Sequence, residues 1–153
     1  VSIDQGLTVE RAHVPSRPAT ASRRVDTREL GAIFAGGVAG ALLRVWLGRH
    51  FAAGPAQWPW ATFAINISGA FALGYLATRL QERLPQATYR RPLLGTGFCG
   101  AYTTFSTMQV EALGMIEHNR YGLAAGYALA SICAGYLAVW VAIATARRTR
   151  RLR

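Results

Sequence analysis

The chain has 153 residues, of which 52% are hydrophobic and only 16% charged. That charge content is far below the roughly 25% of soluble domains, which excludes an ordinary soluble fold. The net charge of +10 is carried wholly by arginine, since the sequence has no lysine. Its arginines sit at the ends of apolar runs, as they do beside lipid headgroups, which argues against a nucleic-acid partner. The two cysteines, Cys99 and Cys133, fall in apolar stretches without a CxxC or His/Cys cluster, so zinc and haem attachment are unsupported. The sequence shows no Ser/His/Asp arrangement at a plausible depth, no paired carboxylates and no phosphate loop, and so does not read as an enzyme.

Residues 1–28 mix Pro15, Pro18, serine, threonine and charges without a lasting apolar period, and are expected to be a disordered tail. They lack the positive-then-apolar order of a cleaved signal peptide. A transmembrane domain is expected over 29–147, followed by a basic tail at 148–153. Within that domain four spans are expected, at about 30–51, 60–78, 92–116 and 121–146. No charged side chain occurs in 51–78, 92–110 or 121–146. Pro55 and Pro59 suit a turn between the first two spans, and Trp58 and Trp60 suit a membrane interface. Gly36 with Gly40, and Gly122 with Gly126, have the spacing that lets helix backbones approach closely.

Arginine placement sets an orientation. With four spans, the two tails and the 79–91 loop share one side and hold fourteen arginines, against Arg49 and Arg120 on the other. Arg44 lies inside the first span. Both termini are therefore expected in the cytoplasm, with the protein a multi-pass component of the cell membrane.

The segment 97–108, Gly-Phe-Cys-Gly-Ala-Tyr-Thr-Thr-Phe-Ser-Thr-Met, is the least regular part of the third span. Its glycines and hydroxyls predict a helix that breaks, which lipid tolerates only where the break is buried or lines a cavity. Half-helix ends offer free carbonyls to a small cation and free N–H groups to an anion. Asn66 in the second span reads either as an interhelical hydrogen bond or as part of an anion path. Tyr127 and Ser131 share one face of the fourth span, and Thr103, Thr104, Ser106 and Thr107 add hydroxyls in the third. Hydrogen donors predominate, no acidic ring exists, and Phe71 and Phe105 could meet an anion edge-on. Structural roles are expected for Arg44, whose stem can snorkel, and for Glu111, which can reach the interface or pair with an arginine.

These motifs resemble the Fluc/CrcB family of fluoride channels over residues 30–146. The resemblance rests on Gly36-Gly37-Val38-Ala39-Gly40-Ala41-Leu42-Leu43-Arg44, on Asn66-Ile67-Ser68-Gly69-Ala70-Phe71, and most specifically on residues 97–107. It implies an all-α fold of four membrane helices, the third broken, that works as an antiparallel dimer and passively exports fluoride from the cytoplasm. It further implies a structural sodium ion, not transported, on the backbone carbonyls of Gly100 and Thr103. The anion path it implies runs along Asn66, Phe105, Ser106, Thr107, Tyr127 and Ser131, with Met108 in place of a second phenylalanine and Gln109 in place of a serine. The one-sided arginine bias predicts a fixed orientation, hence pairing with a homologous subunit of opposite topology; a homodimer is otherwise expected. Alternatives are a small proton-coupled drug exporter, for which only Glu111 could serve as the carboxylate, and a non-conducting subunit of a heterodimeric channel.

Overall fold

The computed structural model describes residues 26–54, 56–83 and 89–151. The tail expected at 1–28 lies almost wholly outside these residues, as do the last two positions of the basic tail. The described residues are helical apart from short turns: α1 (Thr27–His50), α2 (Trp60–Arg83), α3, α4 (Phe105–Glu117) and α5 (Tyr121–Arg151). α3 comprises a π-wound segment, Pro92–Cys99, and the single α turn Gly100–Tyr102 that continues it.

Local chemistry fixes the ends. Asp26 caps α1 by accepting the Arg28 N–H at 2.9 Å, and Glu29 lies in the first turn where the helix dipole favours an anion. The other carboxylate oxygen of Asp26 accepts the Tyr89 hydroxyl at 3.3 Å, tying the start of α1 to the approach to α3. Pro92 opens the π-wound segment, where its missing N–H costs nothing. Between α4 and α5, Asn119 adopts a positive φ of 60° and its N–H bonds the Ile116 carbonyl at 2.9 Å. Asparagine tolerates this left-handed conformation better than most residues, which makes the tight turn possible.

Two parallel helix pairs build the bundle. α1 lies on α3 with almost no side chain between them: a Cβ at Gly36 would run into the Leu93 carbonyl, and one at Gly40 into the Phe98 carbonyl. Gly97 answers from the other side, with its space limited by the Ile33 carbonyl. The Gly36/Gly40 spacing thus serves backbone contact within one chain. α2 lies on α5, with Ile67 against Gly135 and Gly74 against Val139 and Ala142. Gly122 and Gly126 on α5 have open space where a Cβ would stand, so this second glycine pair meets nothing within the chain.

α1, α2 and α5 are each long and apolar enough to cross a membrane. The stretch 92–116, expected as the third of four spans, is not a single helix of that kind. It is divided at Thr103 and Thr104, whose backbones are extended (φ −76°, ψ 154° and φ −147°, ψ 116°). The 13-residue α4 rises only about 20 Å, against the roughly 30 Å of a hydrocarbon core, so it cannot span alone.

The α1–α3 contact gives a direct expectation. Gly40→Val should destabilise the bundle by about 1–3 kcal/mol, the usual cost of forcing volume into a filled site. Asn119→Gly, at a position glycine fits, should stay within about 0.5 kcal/mol. Thermal unfolding in detergent followed by tryptophan fluorescence checks both.

Candidate functional site at the helix break

The break is held by one side chain. The Asn66 amide donates to the Thr104 carbonyl at 2.9 Å and accepts the Thr104 N–H at 2.8 Å. A carboxamide carries the same donor and acceptor as a peptide, so it pairs with Thr104 as a neighbouring strand would. Of the two readings of Asn66, the interhelical hydrogen bond is the contact present. Thr104 itself is buried and caps α4: its Oγ1 accepts the Thr107 N–H at 3.2 Å and donates to Thr107 Oγ1 at 2.9 Å. Ser106 Oγ lies 3.4 Å from the same hydroxyl.

These bonds free particular carbonyls. In an unbroken helix the Gly100 carbonyl would accept the Thr104 N–H, and the Thr103 carbonyl the Thr107 N–H. Both N–H groups are instead taken by side-chain oxygens, of Asn66 and of Thr104. Gly100 is exposed, and a Cβ built on it would meet nothing among the described residues. Thr103 turns its own hydroxyl back to the Cys99 carbonyl at 3.0 Å, which leaves its main chain uncovered by its side chain. Two uncommitted carbonyl oxygens are the hard donors a small cation takes. Beyond the break, α4 begins with Phe105, 68% exposed, and with Ser106, also exposed.

A second polar group lies farther along α4. Glu111 accepts the Thr62 hydroxyl at 2.6 Å and the Tyr127 hydroxyl at 2.9 Å. Two hydroxyls, from α2 and α5, thus meet its two oxygens. Tyr127 is fully buried at 0% exposure. Ser131, one turn on, has a buried Oγ without a hydrogen-bond partner among the described residues. A cavity of about 310 Å³ reaches from the break to Glu111; Thr104, Thr107, Thr62 and Glu111 line it together with Arg44 and Arg49. The Arg44 Nε is buried and has no partner among the described residues.

The remaining expected positions divide. Met108 packs against the buried core of Met115, Ala124 and Tyr127. Phe71 lies apart from the break, stacked on Tyr75 with centroids 6.4 Å apart. Trp60 is exposed, as an interfacial ring would be, whereas Trp58 is drawn into the core cluster. Sequence reasoning missed Thr62. The available signal was its place four residues before Asn66, on one face of α2.

Helical described residues with three membrane-length helices, and an interrupted segment between the second and third of these whose break is satisfied by side chains, define a multi-pass membrane protein. Residues 31–143 match the family described as CrcB-like protein, Camphor Resistance (CrcB), and the chain belongs to that family. It is 62% identical over 125 residues to "Fluoride-specific ion channel FluC 1" of Mycolicibacterium paratuberculosis, covering 82% of this chain and 95% of that protein. The protein of the same name from Mycobacterium tuberculosis is 58% identical over the same shares. "Fluoride-specific ion channel FluC 2" of Moorella thermoacetica is 44% identical over 110 residues, 69% of this chain and 86% of that protein.

The hydrogen bonds at the site predict graded losses. Asn66→Leu leaves two buried backbone groups of Thr104 unpaired, each at about 1–3 kcal/mol. Thr62→Val, nearly isosteric, removes one of two donors to a carboxylate and should cost about 1.5–3 kcal/mol. The ranking of unfolding midpoints in detergent, with Asn66→Leu lowest, tests the assignment.

Proposed function

We propose that this protein is a fluoride-specific ion channel that lets fluoride leave the cytoplasm passively. The observation that carries the reading is the broken helix with its uncommitted carbonyls, in a chain so similar to proteins named for fluoride conduction. It is a channel and not an enzyme, and its family leaves the proton-coupled exporter without support.

In this reading α3 and α4 cross the bilayer together as the third of four spans. The carbonyls of Gly100 and Thr103 hold a sodium ion, whose positive charge neutralises the carbonyl ends gathered at the break. The anion path follows Asn66, Phe105, Ser106, Thr107, Met108, Tyr127 and Ser131. Two chains run antiparallel, so that exposed polar positions such as Ser106 and Gln109 meet protein rather than lipid. Glycine at 122 and 126, open in the single chain, would let a partner helix approach.

Fluoride is small and strongly hydrated, so a selective path must replace its water with hydrogen donors without binding it too tightly to leave. Hydroxyls, an amide and ring edges supply such donors; the absence of lysine keeps fixed ammonium charges off the route. The arginine bias supports cytoplasmic termini and a fixed orientation, and hence a partner subunit of opposite bias.

Liposomes loaded with fluoride and fitted with the purified chain, alone and with a homologous subunit, test the function. Fast fluoride efflux without chloride efflux is the expected result; no fluoride efflux in either preparation overturns it. A reporter of sidedness on the C-terminus should give signal from the cytoplasmic side alone, and signal from both faces would remove the fixed-orientation claim.

A further inference from the structure

Trp58 stands in the turn that leads into α2, yet it packs inward. Its ring meets Tyr127 edge-on, with centroids 5.4 Å apart and planes at 76°, and meets Phe63 at 5.7 Å and 69°. Met115 and Ala124 complete the buried cluster, with Met108 packed against it. Three directions of packing thus fix the indole. Its Nε1 is nevertheless buried and has no hydrogen-bond partner among the described residues. An indole nitrogen can only donate, and a buried donor left unmade opposes folding. Phenylalanine would fill an edge-on aromatic slot without that cost, so ring packing alone does not account for the N–H.

The neighbouring donors are already committed. Thr62 and Tyr127 give their hydroxyl protons to Glu111, and Thr104 gives its own to Thr107. The Trp58 N–H is an unpartnered donor among the described residues, on a ring packed against Tyr127, whose hydroxyl bonds Glu111. Met108, packed against the same buried cluster, is a thioether and offers no positive ring edge.

We infer that Trp58 is a specificity-determining residue of the anion path: its indole N–H receives the partly dehydrated anion where the path passes Tyr127 toward the turn between α1 and α2. This rests on the fluoride-channel reading. A donor fixed by packing on three sides cannot close around the anion as a flexible side chain would, so it assists passage without trapping.

The experiment uses the full chain in liposomes and in detergent. Trp58→Phe keeps an aromatic ring and deletes the N–H; fluoride efflux should fall about tenfold, the effect of about 1.4 kcal/mol on a barrier, while the unfolding midpoint does not fall. In wild-type protein labelled with 15N-tryptophan, the indole resonance lost in Trp58→Phe should shift on titration with sodium fluoride and not with sodium chloride. Wild-type efflux from Trp58→Phe overturns the inference. So does reduced efflux with an indole resonance that ignores fluoride, since the ring is then only packing. If the wild-type chain carries no fluoride, the channel reading fails by itself, and the resonance still decides whether Trp58 receives the anion.

Discussion

A peptide unit taken out of a helix in a water-poor environment must find both a donor and an acceptor, and Asn66 supplies both to Thr104. The rest of the site hangs on that exchange. Because the Thr104 N–H turns to Asn66, the Gly100 carbonyl loses its helical partner. Because Thr104 is released from the helix, its hydroxyl is free to cap α4 and to take the Thr107 N–H, and the Thr103 carbonyl loses its partner in turn. One amide thereby creates an opening with carbonyls on one side and a helix N-terminus on the other. Opposite ends of two helix dipoles then face a common point, which is how one short break can suit both signs of charge.

The glycine contact between α1 and α3 is the complement of that opening. Gly36, Gly40 and Gly97 bring two backbones together without intervening side chains. A contact of this kind resists sliding, since any displacement drives a carbonyl against a Cα. It anchors the half-helix that ends at Tyr102, so that the extended residues after it begin from a fixed place. On the other flank, the Thr62–Glu111–Tyr127 bonds join α2, α4 and α5. The break lies between one contact made by glycine and another made by hydrogen bonds, and neither asks the break itself to supply stability.

Three of the helices were legible in the sequence because uncharged length is a sufficient signal, and α1, α2 and α5 start and stop near the charges that bound them. The break at 103–104 was legible from paired threonines within a glycine-rich stretch. What the sequence did not disclose was the partner of each polar group. Asn66 reads as an interhelical hydrogen bond or as part of an anion path, and its partner is a residue 38 positions away. Glu111 reads as a carboxylate for the interface or for an arginine, and the hydroxyls that α2 and α5 bring to it leave no mark in the sequence. Trp58 looked like a belt residue, and only its packing on Tyr127 turns it inward. Spacing along one helix cannot reveal such pairings, since each joins elements whose relative rotation is set by packing.

The parallel pairing of α2 with α5 carries a consequence for how the chain is made. α2 emerges early, but α5, the helix that covers its Gly74 face, is made only after α3 and α4. Until α5 arrives, the nascent chain holds an incompletely bonded carboxylate and an uncovered helix face in the bilayer. α5 thus acts as a closing bolt, covering the Gly74 face of α2 and completing the hydrogen bonds of Glu111 in one step.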